Sequence, residues 1–564
     1  MKKNISILLP AAASAVLLAS CGGFGKITSE DFTVTPTPLE YVNGKVPATI
    51  SANIPAKFMP KNGVVTCTPV LKWEGGQAVG QSATFQGEKV EGNNTVISYK
   101  NGGTATMRVS YPYQIPMAKS ELYMQFDAKK GSKQVKVPEV KIGYGIVATA
   151  ALVSEAARTS GQSVAADKFE REIKQQQKAD IKFLINQANL RGSELNSSNI
   201  KEFIAKLKEL KADQKNLALG NVEVSAYASP DGKYDFNEKL AEKRGNVSED
   251  YVNKQLKAQQ LNTNVDTKYT AEDWEGFKEL VSQSNLQDKD VILRVLSMYQ
   301  DPEQREREIK NVAAVYKELA DAILPQLRRS RMTINYKVIG RSDAEIVSQF
   351  KSDASKLSVE ELLYAGNRLT QNNAEKAAYY QKATELYPGD YRAYNNLGVV
   401  AMKQGEVGKA AGLFKQALTK NSNAPEPNAN MSTIELINSN FGAAEVYTAK
   451  GVTAPAADET QGNVLIAQGK YDQAAAKFAN SCTNSAALAQ ILSKNYSAAS
   501  KTLDNIKDPN ALTYYLKAIV GARQNQESVV LTNLKQAVQK DSSYKAKAQN
   551  DCEFINYPDA IKAL

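Results

Sequence analysis

Three domains in series are predicted: a β-sandwich, a mixed α/β domain and a solenoid of paired helices. Three observations predict them. Short alternating apolar runs bounded by Gly, Pro and Asn fill residues 27–145. Strand-like and helix-like runs then alternate over 146–345, and from 355 to 564 helical apolar spacing recurs with a 34-residue step. A length of 564 residues suits three or four domains at roughly 100–200 residues each. With 42% hydrophobic and 23% charged residues, the chain is neither collagen-like nor largely disordered.

The N-terminus carries Lys2 and Lys3, an apolar run from Ile5 to Leu18, and then Ala19-Ser20-Cys21. That run is too short to span a bilayer and has the proportions of an export signal. Small residues directly before Cys21, with Gly22 and Gly23 after it, resemble the bacterial lipobox. The resemblance implies a signal peptide over 1–20, a lipidated tether over 21–26 and acyl chains on Cys21. Each buried methylene contributes about 0.8 kcal/mol, so several chains anchor stably. No acidic run follows Cys21, which favours the periplasmic face of the outer membrane over the cell surface. Three further thiols remain, Cys67, Cys482 and Cys552, and the odd count excludes a full disulfide framework. Isolated thiols are expected, with a Cys482–Cys552 pair as the alternative. The net charge of +10 is spread along helices and interleaved with Glu, so nucleic acid is not an expected partner.

The β-domain is read from runs such as Ala48–Ile54 and Thr106–Tyr111, with turn clusters at Asn62-Gly63, Gly75-Gly76, Gly92-Asn93-Asn94 and Asn101-Gly102-Gly103. That spacing suits an immunoglobulin-like sandwich. Next come a strand over 179–186 and a helix carrying Ile200, Phe203, Ile204, Leu207 and Leu210 on one face. A strand over 221–228 leads through Ser229-Pro230-Asp231-Gly232 to a second helix with Phe236, Leu240, Val247 and Tyr251 on one stripe. Arg244 falls on that stripe, and a charge there must be paired or serve a ligand.

Gly232, Asn237, Leu240 and Arg244, with Phe236 in a Tyr place, are in register with the OmpA-like domain, which this region resembles. Arg329-Ser330-Arg331-Met332 resembles that family's Asn-Arg-Arg-Val, leading into a strand with Met332, Ile334, Tyr336 and Val338. Helices between Glu272 and Leu327 form an insertion in the style of OmpA-like proteins of the Bacteroidota. The resemblance implies peptidoglycan binding, an Asp gripping the diaminopimelate ammonium and the Arg a carboxylate. The candidates here are Ser229, Asp231 and Arg244. Ser229 stands where the family has its Asp, and Asp231 lies two residues further along the turn. A shifted ligand geometry and a purely structural or protein-docking domain are both open.

Tyr394, Leu397, Gly398, Ala410, Phe414 and Ala417 match the tetratricopeptide template, and Leu363, Tyr380 and Ala383 stand 34 residues upstream of Leu397, Phe414 and Ala417. Later corners fall at Gly405, Asn440, Gly469 and Asn495, the first step (Val407 to Phe441) again 34 and later ones shorter. Residues 355–564 therefore resemble tetratricopeptide repeats, which implies a concave face that holds a peptide or protein. Asn395, Asn396 and Lys403, on the first helix of the clearest repeat, are the candidate groove residues.

Histidine is absent, which removes Ser-His-Asp and Cys-His nucleophiles, His-ligated metals and imidazole proton shuttles. There is no phosphate-binding Gly-rich loop and no Cys-x-x-Cys, so no cofactor is expected. Ser198-Asn199-Ile200-Lys201 fits Ser-x-x-Lys, but its companion elements are missing and Ser198 reads as a helix cap. The leading expectation is a non-catalytic outer-membrane lipoprotein, a periplasmic scaffold that docks to cell wall or a neighbour and recruits envelope proteins. The alternative is a surface lipoprotein for nutrient or glycan capture, disfavoured by only two Trp to stack on sugars. A carboxylate-only wall hydrolase comes third.

Overall fold

A computed structural model describes residues 23–564 apart from 231, 287, 288 and 312. Two compact units result: unit 1 combines residues up to 167 with 358–564, and unit 2 is 168–357. The expected break at 146 is therefore corrected. Residues 146–167 belong with the sandwich and the helical repeats, and these two expected domains form one body.

In unit 1, strands β1 (Phe32–Thr35), β2 (Leu39–Glu40), β3 (Lys45–Ile54), β4 (Gly63–Trp73), β5 (Gly76–Val79), β6 (Ala83–Gly87), β7 (Thr95–Ile97), β8 (Gly103–Pro112), β9 (Glu121–Lys130), β10 (Lys133–Lys136), β11 (Val140–Tyr144) and β12 (Ile146–Val147) build the β-region. One sheet runs β1-β3-β8 and the other β10-β9-β4-β6-β7, with β11 on β9 and β5 on β4. Alternation along β3 turns Val46, Ala48 and Ile50 inward, where they meet Val65, Leu71, Leu122 and Met124 of the second sheet. The Tyr111 hydroxyl crosses the gap to the Pro69 carbonyl at 3.2 Å. The last strand, β12, pairs in parallel with β2 and hands the chain to residues 148–167.

The helical part opens with Val359–Tyr364, capped by reciprocal Ser358 and Glu361 bonds, and pairs it with Asn373–Leu386. The pairs Tyr391–Lys403 with Val407–Lys420, Pro425–Ile437 with Phe441–Lys450, Ala457–Ala467 with Tyr471–Lys477, Asn484–Leu492 with Tyr496–Asp504 and Ala511–Arg523 with Glu527–Lys540 follow, then Ser543–Asn550 and Pro558–Lys562. The predicted corners are where helices end on left-handed residues: Gly405 and Gly469 themselves, and Ser439 and Lys494 just before Asn440 and Asn495. Gly398 shows why the repeat needs a glycine. A Cβ there would lie 2.6 Å from the Phe414 ring, so the two helices touch only because none is present.

Sandwich and repeats share a seam. Phe441, Tyr471 and Leu492 pack against the sandwich core, and the Cys552 thiol donates to the Ala118 carbonyl at 3.0 Å. Cys67 and Cys482 are likewise free thiols, so Cys482 and Cys552 are not joined. Arg523 grips both oxygens of Glu553, which also accepts from Thr149. Asp551 is buried beside them, accepting from the Tyr515 hydroxyl at 2.6 Å and the Glu553 amide at 2.9 Å. Burial first, and the Glu553 charge second, push its carboxyl up to about 6.

Unit 2 is a two-layer α/β structure. Its sheet of β13 (Glu172–Lys182), β14 (Leu217–Tyr227), β15 (Val265–Thr270) and β16 (Arg329–Ile339) runs β13-β16-β14-β15, with only β14 and β15 parallel. Ile200, Phe203, Leu207 and Leu210 of helix Ser198–Ala212, and Val252 and Leu256 of helix Tyr234–Ala258, cover Ile181, Val222, Val224, Met332 and Ile334. The expected insertion is a helical lobe with its own core of Phe277, Val281, Ile292, Leu296, Ile323 and Leu327. Asp273 caps its first helix at the Gly276 amide and pairs with buried Arg329 at 3.1 Å. No helix among the described residues is long and apolar enough to cross a membrane.

Two outcomes are expected. Gly398→Val should destabilise unit 1 by about 1–3 kcal/mol, read as a lower urea midpoint, because the repeat helices must part around the added methyls. An acid whose native pKa is raised stabilises the fold below its unfolded pKa and loses that contribution as pH rises through the native value. The stability of wild type minus that of Asp551→Asn should therefore fall between about pH 4 and pH 7 in a urea series. A difference that rises or stays flat would contradict the burial of this carboxyl.

Candidate functional site: the filled groove of the helical repeats

The concave face of the repeats is occupied by the chain's own residues 148–167, a strap that leaves β12 and runs along the first helices of successive pairs. Its first half is helical. Short turns at Thr149–Leu152, Val153–Ala156 and Ala157–Thr159 put Leu152, Val153, Ala156 and Ala157 into the repeat core beside Ile434, Ile437, Val464 and Leu488. Glu155 accepts from the Tyr544 hydroxyl and pairs with Lys547, whose ammonium lies over the Tyr544 ring at 4.6 Å.

The second half, 160–167, is extended and held by asparagines. Asn396 accepts from the Ala165 amide at 2.7 Å and donates to the Ala165 carbonyl at 2.9 Å. Asn430, 34 residues on, repeats this with Ser163 at 2.8 Å for both bonds. A carboxamide holds one donor group and one acceptor, the complement of a peptide unit, so each asparagine satisfies both backbone groups of one residue. Asn395 joins the rungs, donating to the Ser163 carbonyl at 2.9 Å and accepting from Asn430 at 2.9 Å. Asn463, the next in the series, donates instead to the Ser160 hydroxyl at 2.8 Å. At the far end Asp167 accepts from Asn367 and Arg368.

Of the three expected groove residues, Asn395 and Asn396 are fully buried under the strap, whereas Lys403 is exposed in the last turn of its helix. Among the described residues Lys403 makes no hydrogen bond to the strap. Asn430 and Asn463 were missed in the sequence, although the successive steps of 34 residues from Asn396 to Asn430 and 33 from Asn430 to Asn463 are the signal that finds them.

The expected wall-binding residues lie in unit 2. Arg244 is fully buried, and its guanidinium donates to the carbonyls of Gln187 (3.0 Å), Tyr227 (2.9 Å) and Leu184 (3.2 Å) while lying over the Phe183 ring. It ties the loop after β13 to the end of β14. Ser229 is also buried, its hydroxyl accepting from Arg328 and its carbonyl from Asn237. Asp231 lies outside the described residues, as does Cys21.

Removing Arg244 empties the space of a fully buried side chain and leaves three carbonyls without their donor. Arg244→Ala is expected to destabilise unit 2 by about 2–4 kcal/mol. Arg244→Lys should recover little of it, because a single ammonium cannot reproduce the planar fork. Urea unfolding followed by hydrogen exchange within 168–357 reads both.

The tetratricopeptide repeat family matches residues 367–425, so the C-terminal region carries tetratricopeptide repeats. Among solved structures, a tetratricopeptide repeat protein from Parabacteroides merdae is 16% identical over 37% of this chain and 90% of its own, with a TM-score of 0.28. Pseudomonas aeruginosa PilF is 16% identical over 37% and 100%, at 0.26. YrrB, described as a TPR protein with an unusual peptide-binding site, is 17% identical over 37% and 99%, at 0.21. No curated protein matches the chain. Repeats of this kind present extended concave surfaces to protein segments, and here the segment presented is the chain's own.

Proposed function

We propose that the chain is a non-catalytic scaffold of the bacterial envelope. Acyl chains on Cys21 hold it to the periplasmic face of the outer membrane, unit 2 acts as an OmpA-like docking domain, and the tetratricopeptide repeats engage other envelope proteins. One observation carries the scaffold reading: a ladder of buried asparagines that grips peptide backbone. Such a ladder binds a chain without transforming it. The anchor rests on the Ala19-Ser20-Cys21 pattern after an apolar run of export length. The docking role rests on the register of Gly232, Asn237, Leu240 and Arg244 and on the order of strands and helices in unit 2. With Arg244 engaged by three carbonyls, wall contact through it requires the loop around Leu184–Gln187 to open.

Fractionation of cells expressing wild type and Cys21→Ala tests the anchor. Wild type is expected in outer membranes and the variant in the soluble periplasm, and a freely soluble wild type would end the proposal. Wild-type sedimentation with and without purified peptidoglycan sacculi tests wall docking. Equal sedimentation would leave unit 2 a protein-docking or structural domain.

A further inference from the structure

The ladder also records which peptide it is built to hold, and the strap does not match it throughout. Between rungs two and one, Ser163 and Ala165 are two residues apart, the spacing at which an extended chain turns the same side to its partner. Between rungs three and two the spacing is three, Ser160 to Ser163. The extra residue throws Gly161 outward to solvent and puts a serine side chain, not a peptide unit, against Asn463. Asn463 is fully buried and its Oδ1 has no hydrogen-bond partner among the described residues. Two further buried acceptors beside the same step, Gln162 Oε1 and Glu459 Oε2, also lack donors. An unpaired buried acceptor is costly, so the third rung is built for a backbone N–H that the strap does not supply there.

The two halves of the strap are also held by different forces. Leu152 and Val153 each bury an apolar side chain worth roughly 2 kcal/mol. From 160 to 167 the residues are Ser, Gly, Gln, Ser, Val, Ala, Ala and Asp, whose attachment is mainly hydrogen bonds at about 1 kcal/mol net apiece. A competing peptide backbone can replace those hydrogen bonds one for one, whereas displacing the helical half would expose apolar surface, so exchange is confined to 160–167.

We infer that residues 160–167 are a displaceable internal ligand, and that the groove receives a partner's extended peptide carrying small residues at alternate positions followed by an acidic one. The pattern comes from the rungs. Ser163 and Ala165 are fully buried where a larger side chain has no room, and Asp167 meets Asn367 and Arg368. A peptide with uninterrupted two-residue spacing pairs with Asn463 as well as with Asn430 and Asn396, one rung more than the strap. This deepens the scaffold reading by naming the chemistry of the partner segment.

The test uses the full chain and a fluorescent peptide of residues 158–168 lacking Gly161. Wild type should bind it, and Ala165→Leu, which crowds the strap at rung one, should bind it about tenfold more tightly because the groove is open more of the time. Adding Asn430→Ala to Ala165→Leu should abolish that gain. Hydrogen exchange on wild type covers the case in which Ala165→Leu does not fold. The amides of Ser163 and Ala165 should exchange faster than those of Val153 and Ala156, and faster still with peptide bound. If they exchange only with global unfolding, or if the peptide binds without altering them, the strap is a permanent strut and the inference is overturned. Either result leaves membrane anchoring and sacculus binding to be decided on their own readouts.

Discussion

Peptide backbone paired with asparagine carboxamides is the contact that organises the repeat face of unit 1. An extended strand normally satisfies its N–H and C=O groups against another strand. Residues 160–167 have no such neighbour, and their polar groups are met by side chains projecting from the repeat helices at one rung per repeat. Without Asn396 and Asn430 those groups would have to stay in water, and the extended half of the strap could not lie along the repeats. Sandwich and solenoid would then be joined by the helical half of the strap and by the seam near Phe441, Tyr471 and Cys552.

Buried polar groups follow the same logic elsewhere in the chain. Arg244 has its guanidinium met by backbone: its N–H groups suit carbonyl acceptors, and three carbonyls converge on it. Arg329 takes the other course and pairs with Asp273, which also caps the first helix of the insertion. In each case a buried charge fastens segments to the sheet of unit 2.

Periodic features were legible in the sequence and exceptions to period were not. Apolar spacing at two residues and at three to four located the sandwich, the sheet of unit 2 and the repeats, and the 34-residue step located Gly398 against Phe414. Asn395 and Asn396 were readable because the first helix of a repeat faces the groove. The strap was not, because Ala156 and Ala157 carry too little apolar contrast to reveal a face, and their partners in the repeats lie hundreds of residues away. For Arg244 the need for partners was readable from its stripe. Their identity was not, since Leu184, Gln187 and Tyr227 contribute only carbonyl oxygens and side-chain chemistry says nothing of these.

Unit 1 is discontinuous: its first part ends at residue 167 and its second begins at 358, with unit 2 between. Ser163 is 267 residues from Asn430, and Ser160 is 303 from Asn463. A chain that emerges N-terminus first therefore completes unit 2 while the strap still waits for its helices. Closing so long a loop adds only slowly growing entropy, yet it makes late synthesis, not local propensity, the step that seals this body. Losing the residues from 391 onward would consequently strip residues 160–167 of Asn396, Asn430 and Asn463 while leaving 168–357 whole.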